Sequence, residues 1–158
     1  KIIEKDRIGE LQVAKLRALG IEPGPLYRQI KENEETVLPD GRIIYREDVV
    51  GAPKKGKKIV IFGDTRYDEK HASFALGADL KINEATFSQE LKDLAKQYYH
   101  ATAYEAAQLA KKAQAKQLIL NHISSRYQGT LLQELLQEAK RIFPKTLVAK
   151  DLFTYNIS

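Results

Sequence analysis

A chain of 158 residues with 43% hydrophobic content is long enough for one domain with a genuine core, and leaves room for an appendage. Its formal charge of +5 comes from 26 basic residues against 21 acidic ones, a moderate excess that favours an acidic partner such as nucleic acid. Cysteine is absent, so disulfides and thiolate metal sites are excluded, and a transition metal would have to be held by carboxylates and the three histidines.

No apolar run approaches the length of a bilayer span and no signal pattern opens the chain, so a soluble, cytoplasmic protein is expected. The sequence starts at Lys1 inside a strand-like KIIEKD and contains no methionine, which fits either a processed start or a piece of a longer protein. Ile8, Leu11, Val13, Leu16 and Leu19 are spaced for a short amphipathic helix ended by Gly20. Pro23-Gly24-Pro25 is a turn, because neither proline can donate a hydrogen bond. Tyr27–Lys31 predicts a second short helix, and TVLPDGRIIY a hairpin turning at Pro39-Asp40-Gly41. From Ile8 to Val50 charges mix with few large apolar residues, so this segment is expected to lack its own core and to be an excursion from the main domain. The alternative is an ordinary loop-rich stretch of that domain. Gly51–Gly56 with Lys57 and Lys58 is a small basic cluster, either plainly solvated or touching a phosphate backbone.

Ile59–Phe62 reads as a buried strand that delivers Gly63-Asp64-Thr65 to its end, where Asp64 is either a metal ligand or a helix cap. His71 is followed by an Ala/Leu/Gly-rich segment with no acidic or histidine neighbour in register and is expected on the surface. Asp79–Ile82 predicts a third strand, and Leu91, Leu94, Ala95 and Tyr98 a helix over Ser88–Tyr99. Thr102 with Glu105 three residues on is a capping-box pattern opening a helix over Ala103–Ala113. Gln117–Gly129, QLILNHISSRYQG, begins as a buried strand and turns polar just past it, where ligands sit in open α/β sheets. There His122 is able to ligate a metal or carry a proton, and Arg126 offers a planar fork to phosphate. Thr130–Phe143 is strongly amphipathic and stopped by Pro144, after which Thr146–Ala149 and Phe153–Ile157 predict two last strands. Strands alternating with helices make an α/β layered architecture.

Taken together, GDT at Gly63–Thr65, NEATF at Asn83–Phe87, YYHAT at Tyr98–Thr102 and LNHISSRY at Leu120–Tyr127 resemble, in order and spacing, the C-terminal half of ribonuclease Z. That family comprises zinc-dependent endoribonucleases that trim the 3′ end of transfer RNA precursors on a metallo-β-lactamase fold. GPLY at Gly24–Tyr27 and DGR at Asp40–Arg42 also fit, and the match covers essentially the whole chain. The resemblance implies an α/β fold, the C-terminal half of an αββα sandwich, with residues 1–7 as a core strand, 8–50 as a protruding arm and 51–158 as the core half. It implies that Asp64 bridges two Zn2+ ions and that His122 ligates the second, while Glu84 and His100 form a relay in which the histidine either contacts the scissile phosphate or protonates the departing 3′ oxygen and the carboxylate orients it. Ser124 and Arg126 would bind phosphate, and the arm, with Gly24 and Pro25, would grip the elbow of the transfer RNA. The implied partners are precursor tRNA, the other half of the enzyme and a second copy in a homodimer.

The chain departs from the family at Asn83, where His is usual, at Ala101, where Ser is usual, and at Asn121–Ser124, where Thr-His-Phe-Ser is frequent. The family's His-x-His-x-Asp-His segment is missing altogether. Two ligands, Asp64 and His122, cannot complete a four-coordinate zinc site, so the chain is expected to be a fragment, inactive alone and with its zinc incompletely held. A non-catalytic tRNA-binding module and another metallo-β-lactamase-type hydrolase are the alternatives.

Overall fold

The computed structural model describes residues 1–157 and comprises two compact units, one made of Lys1–Glu4 and the chain from Lys57 onward, the other of Lys5–Gly56. Strand β1 (Ile2–Ile3) belongs to the first of these.

In the second unit, residues 8–12 are extended and not helical: Leu11 bridges Val50, and the Gln12 amide donates to the Val49 carbonyl at 2.7 Å. Backbone pairing with a distant segment overrides the helical spacing, and the helix expected over Ile8–Leu19 shrinks to α1 (Val13–Ala18). Gly9 is required there, since a Cβ would sit 1.9 Å from the Gly51 carbonyl oxygen. Helix α2 (Pro25–Glu32) places Pro25 at its first position, where a missing N–H costs nothing. Strands β2 (Glu35–Val37) and β3 (Ile43–Tyr45) form the expected antiparallel hairpin, followed by α3 (Arg46–Val49). Gly41 at φ +87° permits its turn, and Asp40 Oδ1 accepts from the Arg42 amide at 3.0 Å.

This unit has its own core, contrary to the sequence expectation. Leu16, Ile21, Ile30, Leu38, Ile44 and Val49 are all buried and pack together. Each comes from a different part of the unit, so no single window reveals the cluster.

The larger unit continues with β4 (Lys58–Ile61), α4 (Lys70–Phe74) and β5 (Leu80–Glu84). The helix expected over Ser88–Tyr99 is split into a 3₁₀ turn at Gln89–Leu91 and α5 (Lys92–Gln97). Then come α6 (Ala103–Lys112), β6 (Leu118–Asn121), α7 (Thr130–Ile142) and β7 (Thr146–Val148). The sheet order is β1-β4-β5-β6-β7; β1 is antiparallel to β4, and the other four strands run parallel. Strand register puts Val60, Lys81, Leu118 and Thr146 in one row. Val60, Leu118 and Leu120 pack with the alanines of α6 and with Leu135 and Ala139 of α7. Alanine lets α6 approach closely, and Ala103, Ala106, Ala107 and Ala110 are all buried. The alternate row, Ile61, Ile82, Ile119 and Leu147, is also apolar, the composition of strands covered on both faces, yet Ile82 and Leu147 are only partly buried. Ile61 in that row is 50% exposed.

No strand forms over Phe153–Ile157. The chain turns at Leu152, a residue with φ +61° and a fully exposed side chain, and the Phe153 amide returns to the Lys150 carbonyl. High strand propensity without a pairing partner does not make a strand. Among the described residues no helix is long and apolar enough to cross a membrane.

Candidate metal centre and histidine–carboxylate dyad

Parallel strands bring their C-terminal ends to one edge of the sheet, and three of them end in the residues singled out above. Asp64 follows β4, Glu84 closes β5, and His122 follows β6. His100 arrives by another route. Helix α5 ends with the His100 amide donating to the Ala95 carbonyl and the Tyr99 amide to Lys96, the paired bonds of a Schellman motif, with Tyr99 left-handed at φ +61°. The chain then bridges back through Phe87 and Thr102 into the capping box, whose two halves are both formed: Thr102 Oγ1 accepts from the Glu105 amide at 3.1 Å, and Glu105 Oε2 accepts from the Thr102 amide at 3.0 Å.

The functional groups converge. His122 Nε2 lies 3.4 Å from Asp64 Oδ2, and donor atoms of Asp64, His100 and His122 all lie within 4.8 Å of one another. Asp64 and His122 are about half exposed, with side-chain values of 61% and 49%, so an ion there would remain open to substrate. His122 is held at φ +49°, a conformation few side chains adopt, and its carbonyl accepts from the Thr86 hydroxyl at 3.0 Å. His100 Nδ1 faces Glu84 Oε1 at 3.1 Å and Thr86 Oγ1 at 3.2 Å.

Glu84 is fully buried and collects donors from three separate segments. Its Oε1 accepts from the Thr65 amide at 3.2 Å and the Ala101 amide at 2.8 Å, besides facing His100. Its Oε2 accepts from the Thr86 amide and lies at the same 3.0 Å from the Thr86 hydroxyl. One carboxylate therefore ties the loop carrying Asp64 to the loop carrying His100. Sequence reasoning assigned Glu84 only to His100. It missed the Thr65 and Thr86 contacts, which no spacing rule marks.

One carboxylate and two imidazoles form a donor set suited to zinc, and three protein ligands with an open position match the catalytic type of site. The set admits His100, which the sequence placed only in the relay, so three donors and not two gather here. The three make a possible site for one ion.

The departure at Asn83 lies on the sheet's helix-covered face, away from this site. Asn83 Oδ1 accepts from the buried Lys81 Nζ at 2.6 Å, and its Nδ2 donates to the Glu84 carbonyl at 2.8 Å. A lysine in the middle of an apolar strand was the available signal for this pair, and it went unread. Ser124 and Arg126 sit just beyond His122: the Arg126 Nε donates to Ser124 Oγ at 3.1 Å, and its guanidinium lies over the Phe87 ring. Gly24 and Pro25 start α2 in the other unit. His71 is partly buried, its ring packing 4.7 Å from that of Phe62.

No family model matches the chain. Over 157 residues it is 51% identical to ribonuclease Z of Anoxybacillus flavithermus, aligning 99% of this chain with 50% of that protein. Over nearly its whole length, the chain is similar to one half of ribonuclease Z. It is likewise 50% identical to ribonuclease Z of Oceanobacillus iheyensis, across 99% of this chain and 51% of that protein. The chain thus spans about half the length of the curated relatives it matches. Among solved structures it resembles the metallo-beta-lactamase fold protein YhfI from Bacillus subtilis, with 30% identity and a TM-score of 0.53 over 58% of this chain and 36% of that one. Human tRNase Z, short form, is similar with 28% identity and a TM-score of 0.51 over 73% of this chain and 37% of that one. The fold is therefore a mixed α/β part of the metallo-β-lactamase type, a family that implies metal use.

Proposed function

We propose that this chain supplies the C-terminal half of a zinc-dependent endoribonuclease that removes 3′ trailers from tRNA precursors. The observation that carries the reading is the convergence of Asp64, His122 and the Glu84–His100 dyad within one cluster at the sheet edge. Asp64 and His122 would hold a zinc ion, which when bound supplies Lewis-acid stabilisation and a nucleophile at neutral pH. Glu84 fixes the His100 ring through Nδ1 and leaves Nε2 to protonate the departing 3′ oxygen. Ser124 and Arg126 bind phosphate next to it, with the guanidinium already oriented by the serine and the Phe87 face. Lys5–Gly56 includes the arm that grips the tRNA elbow, with Gly24-Pro25 at the start of α2. The remaining zinc ligands come from the other half of the enzyme, which works in the cytoplasm as a homodimer.

Asp64→Ala or His122→Ala, each in protein containing both halves, is expected to abolish cleavage of a labelled tRNA precursor. Zinc affinity by calorimetry should fall by more than the roughly 10–100-fold typical of losing an outer-shell partner. Wild-type turnover in either variant would rule out the assignment. His100→Ala separates the two roles open to that residue: slow cleavage with zinc affinity retained marks the proton donor, and loss of zinc marks a ligand.

A further inference from the structure

We propose that the cavity beside His100 is a subsite for a single-stranded RNA segment flanking the bond to be cut, with Arg66, Lys92 and Lys96 on its phosphates and Tyr99 stacked against a base. This deepens the nuclease reading and rests on it. Arg66, Tyr67, Lys92, Lys96, His100 and Glu105 line a cavity of about 270 Å³, so the space opens directly beside the proposed proton donor. That volume is below the roughly 300–1,000 Å³ of pockets that enclose a small molecule, and suits one unit of a strand passing through.

Charge favours a polyanion. Lys92 and Lys96 lie one turn apart on α5, where like charges repel, and Lys92 has only Glu105, at 3.9 Å. Among the described residues neither Arg66 nor Lys96 has a carboxylate within ion-pair distance. The three cations outnumber the one acidic group of the lining, and Glu105 is already engaged in capping α6.

Tyr99 is the second, independent observation. It occupies the left-handed position of the Schellman motif, where glycine is the favoured residue. Tyr99 is 63% exposed, so the fold gains little packing to offset that conformation. The Arg66 guanidinium sits 5.1 Å from the ring centroid. An exposed ring with a cation against it is how proteins hold unpaired bases, since each base presents a π-face; a duplex would leave the ring without a partner.

The test is binding of a fluorescently labelled single-stranded RNA hexamer by the full chain, in chelator, across a salt series. Tyr99→Gly should weaken binding roughly 5- to 150-fold, the size of one base–aromatic stack, while its unfolding midpoint stays at or above that of wild type. Lys92→Ala/Lys96→Ala should make the logarithmic salt slope shallower by about 1.4, the share of two single-strand phosphate contacts. Equal binding by wild type, Tyr99→Gly and the lysine variant overturns the subsite, and so does a lysine effect without a Tyr99 effect, which would mean a generic cationic patch. Failure of the nuclease reading shows separately: protein with both halves would not cleave precursor with zinc, although the hexamer still responded to Tyr99→Gly.

Discussion

Glu84→Gln is expected to destabilise the protein by about 2–5 kcal/mol and to weaken metal binding at the proposed site, and in protein containing both halves to slow cleavage. The reason is the arrangement of donors around the carboxylate. Amide N–H groups approach both oxygens, from Thr65 and Ala101 on Oε1 and from Thr86 on Oε2. A glutamine must point its own NH2 at one of these sets, leaving at least one buried N–H without an acceptor. The Thr86 hydroxyl could rotate to accept, but the backbone amides cannot adapt. Because the Thr65 amide adjoins Asp64, a displaced loop moves the proposed metal ligand as well. Urea unfolding and zinc titration of the same variant check both parts. A glutamine variant with wild-type stability and zinc affinity, altered only in turnover, would confine Glu84 to its partnership with His100.

Lys81→Met is expected to stabilise the protein by on the order of 2 kcal/mol at neutral pH. Burial pushes the Lys81 amine down from its ordinary 10.5 to about 7, with Asn83 Oδ1 as its hydrogen-bond partner and the Phe62 ring 5.0 Å from Nζ. A shift of that size corresponds to roughly 4–5 kcal/mol against the charged form. Losing the donor to Asn83 costs roughly 1–3 kcal/mol, so removing the lysine wins. The pH dependence follows from the direction of the shift. Between pH 7 and 10.5 the unfolded chain carries a proton on this amine that the folded chain lacks, so stability rises with pH across that window. Below about pH 7 both states are protonated and the penalty is fully present. Denaturation at pH 7 and pH 9 should show wild type gaining stability relative to Lys81→Met's own change; parallel behaviour of the two proteins would refute the burial argument.

The legible parts of this chain were those with local signals. The Asp40-Gly41 turn, Pro25 at a helix start, the Thr102–Glu105 capping box and the apolar runs of β4 and β6 each announce themselves within a few residues, and each forms. Long-range pairing was not legible. Leu11 satisfies a helical period and yet pairs with Val50, and the six-residue core of the second unit draws on residues too far apart to form a pattern. At the site, the principal residues came from motif resemblance, whereas their mutual arrangement did not. Nothing in the spacing of Glu84 and Thr65 indicates that one accepts from the other, nor that His100 completes a three-donor set with Asp64 and His122. Lys81 and Asn83 were visible as letters, but their pairing depends on which sheet face is covered.

The sharing of Glu84 by three loops bears on how the edge of the sheet opens. The amides of Thr65, Thr86 and Ala101 are remote in sequence and hydrogen-bonded to one side chain. Swinging that carboxylate aside exposes all three together, whereas no single loop can leave without stranding part of a buried acceptor. In hydrogen exchange these amides are therefore expected to behave as one cooperative unit, and an ion held by Asp64 and His122 as proposed would slow exchange as far away as Ala101.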